Sequence, residues 1–196
     1  MIRILAIFAL LLAAPVSAQQ KPPPASARVS LVTSMGSIIL ELDGKRAPIT
    51  TANFLRYVDE KRFDGTSFYR AARTKGAPKR GFIQGGIRHS YTRMLLPIAH
   101  EPTSKTGLRH VDGTISMARD RPGTAMGDFF ITVGPSASMD AKAGDPGFAA
   151  FGRVLKGMDV VQRILAAPTV PNAGRGAMKG QMITKPVKII SASRAR

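Results

Sequence analysis

The dipeptide Phe129-Phe130 constrains this chain more than any other feature. It lies in Asp128 to Val133, DFFITV, a β-branched and aromatic run that reads as a strand. Successive strand side chains point to opposite faces, so a sheet around one core can bury only one of the two rings in it. The other ring lies on the outer face. There it is either covered by a loop, the commoner outcome for such a pair, or lines a ligand groove. The preceding strand is Thr114 to Ala118, with Ile115 and Met117 on one face. Arg119 to Gly127 holds Pro122, Gly123 and Gly127 and reads as the loop between the two. Phe148 and Phe151 repeat the opposition, on a strand from Phe148 to Val154.

Alternation and punctuation place the remaining elements. Arg28 to Thr33 and Ser37 to Leu42 are alternating strands joined by Ser34-Met35-Gly36, a hairpin. Pro48 opens a helix to about Glu60, because the N–H that proline lacks is unpaired at a helix start anyway. Phe54, Leu55 and Val58 form its buried stripe. Thr66 to Ala71 is a strand carrying Arg70. Ala72 to Gly81, with Arg73, Lys75, Gly76, Pro78, Lys79 and Arg80, reads as a basic loop. Gly85-Gly86 closes a short apolar strand where backbones approach closely, and it lacks the strand–GxGxxG–helix setting of a nucleotide site. Asp159 to Leu165 is a short helix, Pro168 to Gly180 a long Gly- and Pro-rich loop, and Pro186 to Ser191 a last strand with Val187 and Ile189 inward. Many short strands with two helices favour an antiparallel barrel or sandwich over a parallel sheet. His100-Glu101 lacks the HExxH pattern and His89 and His110 lie apart, so no metal site is expected.

Five stretches, in this order, resemble the cyclophilin family of peptidyl-prolyl cis/trans isomerases. They are Phe68-Tyr69-Arg70, Phe82-Ile83-Gln84-Gly85-Gly86, Ser116-Met117-Ala118-Arg119, Phe129-Phe130-Ile131 and Gly147-Phe148-Ala149-Ala150-Phe151-Gly152. The resemblance runs from about Val29 to the C-terminus. It implies a mainly β fold, a closed eight-stranded antiparallel barrel capped by two α-helices, with a filled interior and substrate bound on the outside. On that reading Phe129 and Phe151 go inside, while Phe130 and Phe148 line the groove. The resemblance further implies Arg70 and Gln84 as catalytic residues. Phe82, Ala118, Arg119 (through its backbone), Phe130, Met139 and Phe148 would bind substrate. It implies no cofactor, and it makes Glu101 a structural part of the loop before Thr106-Gly107-Leu108. The chain departs from the family pattern at Tyr69, which replaces a His, and at Gly81, which stands where a pocket aromatic belongs. Asp128 stands where Gln is common, and Ser138 replaces the aromatic before Met139. The implied function is rotation of X–Pro peptide bonds in exported proteins, assisting their folding. The alternative is a non-catalytic proline-peptide-binding or chaperone module using the same groove.

Met1 to Ala18 reads as a signal peptide: Arg3, then apolar Ile4 to Ala14, then the small-x-small site Val16-Ser17-Ala18, cut before Gln19. Residues 19–27, with Pro22-Pro23-Pro24, read as a polyproline spacer, and 28–196 as the isomerase domain. The expected location is periplasmic or secreted, with no stable membrane insertion after processing. The chain has no cysteine, which excludes disulfides and thiolate metal sites. Its formal charge of +17 could serve nucleic acid. The cations are scattered, however, and an exported chain does not meet genomic nucleic acid, so none is expected as a partner. Acidic polypeptides, anionic surfaces or simple solubility fit the charge better. The expected partners are proline-containing polypeptides, met by a monomer. The basic segment Ala72 to Gly81 is expected to border the groove and bias it toward acidic peptides.

Overall fold

A computed structural model describes residues 22–88 and 90–195; the expected signal peptide, its cleavage before Gln19 and His89 lie outside them. The first hairpin pairs β1 (Ala27–Thr33) with β2 (Gly36–Leu42) in strict alternation, burying Val29, Leu31, Ile38, Leu40 and Leu42. β1 starts at Ala27, one residue inside the stretch read as a spacer, and Lys45 N–H donates to Ala25 O just before it at 3.0 Å.

Helix α1 (Pro48–Asp59) follows, with Pro48 in its first turn and no side-chain cap from its own N-cap residue, Ala47. The cap comes from far along the chain. The Glu101 carboxylate accepts Ile49 N–H at 3.1 Å and Thr50 N–H at 2.7 Å. A carboxylate suits this place because it satisfies orphan donors and faces the positive end of the helix. Glu101, expected as a structural part of its own loop, here ties that loop to α1. Glu101→Ala leaves the buried Thr50 N–H and the part-buried Ile49 N–H without this acceptor and is expected to lower stability by about 1–2 kcal/mol. Urea denaturation with unchanged slope checks it.

β3 (Ser67–Thr74) and β4 (Ala77–Gly86) form the second hairpin. A one-turn helix, α2 (Thr103–Thr106), precedes β5 (Thr114–Met117), β6 (Asp128–Val133) and β7 (Ala149–Lys156). Then come α3 (Met158–Ala166), the two-residue β8 (Thr169–Val170) and the long β9 (Met182–Ala195). The antiparallel order β1-β2-β7-β5-β6-β4-β3-β9 closes by pairing of β9 with β1, giving eight strands in the ring; β8 pairs with the start of β9 on the edge opposite β3, the edge that β1 takes further along. Closure leaves no free edge within the ring. Among the described residues, two of the three α-helices are those expected, and α2 is the addition.

The interior is filled by side chains. Phe129 and Phe151 are fully buried in one core with Phe54, Phe63 and Phe68. Ring centroids in this cluster lie 4.9–5.6 Å apart, with several edge-to-face pairs. α1 covers one end of the barrel through Phe54, Leu55, Tyr57 and Val58. α3 covers the end at the β1–β2 turn, where Arg163 Nη2 donates to Met35 O at 2.9 Å.

One expectation is corrected here. Ala72 to Gly81 is not a loop: β3 runs on to Thr74 and β4 begins at Ala77, with the turn at Lys75-Gly76. Gly76 supplies the left-handed turn conformation at φ 77°. Pro78 misled the sequence reading, since proline usually breaks a strand. Here it falls in a register jump between Thr74↔Ala77 and Arg73↔Gly81, where no ladder N–H is required of it. Gly81 returns the chain to the ladder at φ 139°, so close to Ala72 O that a side chain would collide with it.

Candidate active site

The outer face of the barrel carries one row of paired residues across four neighbouring strands. Arg70 pairs with Gln84, Gln84 with Phe130, and Phe130 with Ser116. Backbone pairing thus brings the expected catalytic Arg70 and Gln84 next to the outward ring of the Phe129-Phe130 dipeptide. Phe82, two residues before Gln84, shares its face. The Phe82 and Phe148 rings flank Phe130 with centroids 5.4 Å from it on either side. Met139 closes the rim from a short 3-10 turn, and Phe148 N–H donates to Met139 O at 2.9 Å. Ala118 and Arg119 complete the expected set. A groove of about 630 Å³ is lined by all eight residues named from the sequence.

Tyr69 joins them through a β-bulge. Phe68 pairs with Gly85 and Arg70 with Gln84, so Tyr69 is the extra residue, opposite none. A bulge places two successive side chains on one face. Phe68 therefore points into the core while both Tyr69 and Arg70 line the groove. Tyr69 Oη accepts from Gln84 Nε2 at 2.8 Å and donates to Asp128 Oδ1 at 3.2 Å. Burial, with the Asp128 charge beside it, pushes the Tyr69 hydroxyl well above the usual phenol range, so it stays a neutral donor and acceptor. The same Asp128 oxygen accepts Arg88 N–H at 2.9 Å. The residues at positions 69 and 128 thus meet directly, a phenol on a carboxylate.

Arg70 sits at the centre. Its Nη1 donates to Gln84 Oε1 at 2.8 Å and its Nε to Gln181 Oε1 at 2.8 Å, while Nη2 has only a 3.5 Å contact with Ala177 O. Its Cζ lies 4.9 Å from the Phe82 ring centroid. Partial burial disfavours its charged form and lowers its pKa, yet an arginine so placed remains a cation. Arg119 clamps the opposite wall: Nη2 donates to Gly147 O and Cζ stands 4.9 Å from the Phe148 centroid.

Behind Phe130, His110 stacks on its ring at 5.8 Å and 12°. Nδ1–H donates to Asp140 Oδ1 at 2.7 Å, which leaves Nε2 to accept the Ser116 hydroxyl at 2.9 Å. Burial lowers the His110 pKa more than Asp140 raises it, so the ring is neutral at neutral pH. His110 and Ser116 are buried, which makes this network a support for Phe130 and keeps it from external reactants.

The basic segment does not border the groove. Arg73 is turned toward α3, with Nε on Leu165 O at 2.8 Å and Nη2 on Ala167 O. The cations of the groove are instead Arg70, Arg88, Arg119 and Arg175. Sequence reasoning also missed the wall contributed by Ala173 to Met182, because that segment reads only as a Gly- and Pro-rich connection. A second hollow, of about 700 Å³ between Asp43, Leu108 and Arg153, holds the ion pairs Asp43–Arg46 and Glu41–Arg153 and no aromatic ring.

The site is an aromatic groove around a fixed guanidinium, on the outside of a filled eight-stranded barrel. The family model described as cyclophilin type peptidyl-prolyl cis-trans isomerase matches residues 28–194. A peptidyl-prolyl cis-trans isomerase of Acinetobacter baylyi is 36% identical over 171 residues, covering 85% of each chain. Peptidyl-prolyl cis-trans isomerase A of Dickeya dadantii is 38% identical over 149 residues, 74% of each chain. The fold matches a cyclophilin-type isomerase of Cryptosporidium parvum, crystallised in the presence of the dipeptide Ala-Pro. Its TM-score is 0.70 at 19% identity, covering 86% of this chain and 99% of that one. The chain belongs to the cyclophilin-type peptidyl-prolyl cis-trans isomerase family, and its activity is isomerisation of X–Pro peptide bonds.

Proposed function

We propose that the groove of Arg70, Gln84 and the Phe82–Phe130–Phe148 aromatics binds proline-containing polypeptides and catalyses this rotation. No covalent bond is made or broken. The barrier is twisting of a partial double bond, about 18–20 kcal/mol for a peptide bond, and uncatalysed X–Pro exchange takes about tens to hundreds of seconds. As the bond twists, the prolyl nitrogen becomes pyramidal and gains a lone pair. A hydrogen bond from Arg70 to that lone pair exists only in the twisted state, so it lowers the barrier without tightening ground-state binding. The aromatic rings hold the proline ring, and the backbone at Ala118 and Arg119 pairs with the extended substrate. The observation that carries this reading is the restraint of Arg70 by two amide oxygens beside Phe82. A protease-coupled isomerisation assay on a short X–Pro peptide tests it; a rate no faster than the uncatalysed exchange would overturn it. The non-catalytic alternative is not favoured, because a passive proline-binding groove has no use for an oriented guanidinium.

We propose further that the protein acts as a folding catalyst outside the cytoplasm, as a monomer with no nucleic acid partner. The support is the basic, apolar and small-x-small order of Met1 to Ala18. N-terminal sequencing of exported protein is expected to begin at or near Gln19. Intact Met1 recovered in a membrane fraction would contradict it.

A further inference from the structure

The geometry points to Gln181 as a positioning residue for isomerisation, acting through Arg70 as a neutral acceptor that aims the guanidinium without reducing its charge. The inference rests on the assignment of Arg70 made above. Arg70 and Gln181 are far apart in sequence, and the fold joins them twice. Ala71 N–H donates to Gln181 O at 2.9 Å, and Arg70 Nε donates to Gln181 Oε1 at 2.8 Å. Backbone pairing thus fixes where the Gln181 side chain starts, and the side chain fixes the guanidinium plane.

Gln84 holds the same group from another side, at Nη1. Two acceptors on different nitrogens of a planar fork define its orientation, which one acceptor does not. Of the five N–H donors one stays on Nη1, and the least engaged nitrogen is Nη2, whose contact with Ala177 O is 3.5 Å and therefore weak. This is the nitrogen free to meet a lone pair on substrate.

The chemistry of the two acceptors matters as much as their number. Both are amides. Among the described residues Arg70 forms no ion pair, although six arginine–carboxylate pairs occur elsewhere in them. A carboxylate at either place would orient the fork equally well. It would also neutralise the guanidinium and compete with the developing lone pair for its protons. Neutral amides orient the group and leave its full charge for the twisted state, where a preorganised donor is worth most. Tyr69 extends the arrangement: its neutral hydroxyl takes the Nε2 proton of Gln84, which turns Oε1 toward Arg70.

The test compares Gln181→Met, which keeps length and loses the acceptor, with Gln181→Glu, which keeps the acceptor and adds charge. Arg70→Ala is run alongside, with kcat and KM on an X–Pro peptide and thermal melting for each. Gln181→Met is expected to lower kcat about tenfold with KM within about twofold, since misaiming a catalytic group by about 1 Å costs up to about a hundredfold. Gln181→Glu is expected to lose kcat at least as severely with an unchanged melt, a result that a merely structural glutamine would not give. Near-full kcat in Gln181→Met would overturn the positioning role, and near-full kcat in Gln181→Glu would overturn the requirement for a neutral acceptor. Both failures leave Arg70 in place if Arg70→Ala is inactive. A fully active Arg70→Ala would overturn the assignment of Arg70 and this inference with it.

Discussion

Arg70→Ala is expected to lower kcat/KM for an X–Pro peptide by about 10²–10³-fold, the usual cost of removing one preorganised donor, about 2.7–4 kcal/mol. The loss should fall on kcat, with peptide affinity close to that of the parent protein, because the hydrogen bond it removes forms only when the amide is twisted. The fold should survive. Arg70 lies on the outer face of β3, its partners are the neutral amides of Gln84 and Gln181, and the groove is open enough for water to replace it. The measurement is a coupled assay with peptide binding and thermal melting on the same samples. Activity near that of the parent protein with an unchanged melt would make Arg70 a surface cation.

The adjacent rings Phe129 and Phe130 should separate folding from function when each is replaced by Ala. Phe129 is fully buried and makes edge contacts with Phe54, Phe63 and Phe68 at 5.3–5.6 Å. Phe129→Ala is therefore expected to cost about 3–5 kcal/mol of stability, a large share of what a domain of this kind has. Phe130 is also nearly covered, but by Phe82, Phe148 and His110 on the outside of the barrel, and it lies outside the core cluster. On the proposed reading of the groove, Phe130→Ala removes ring contact with proline in both the planar and the twisted state. Affinity should fall by about tenfold or more, equivalent to about 1.4 kcal/mol, with a smaller change in melting than Phe129→Ala. Equal destabilisation by both substitutions would contradict the division of the pair between core and groove.

That division shows how much of the site was legible beforehand. Strand periodicity alone requires one ring in and one ring out, and it applies again to Phe148 and Phe151. Family resemblance chose which ring goes where, and named eight residues; the strand ladder sets Arg70, Phe82, Gln84 and Phe130 side by side, while Ala118, Arg119, Met139 and Phe148 reach the same groove from outside the strands. Elements with a strong local signature were also legible: the Ser34-Met35-Gly36 hairpin, the Pro48 helix start and the alternating strands. The segment Ala72 to Gly81 was misread because Pro and Gly act as breakers only where the ladder needs an N–H or a side chain. The long register jump in this hairpin needs neither.

The sequence by itself determined the alternation that fills the barrel and the one-in, one-out placement of the paired rings. These depend on neighbours within a few positions of one another. Only the tertiary structure decided that Tyr69 is a bulge residue sharing a face with Arg70, that Asp128 receives its hydroxyl, that Glu101 caps α1 and that Gln181 accepts a hydrogen bond from the guanidinium. Each of these is a hydrogen bond or register shift between segments distant in the chain, set by how the strands pair on closing the ring, and no local pattern encodes it.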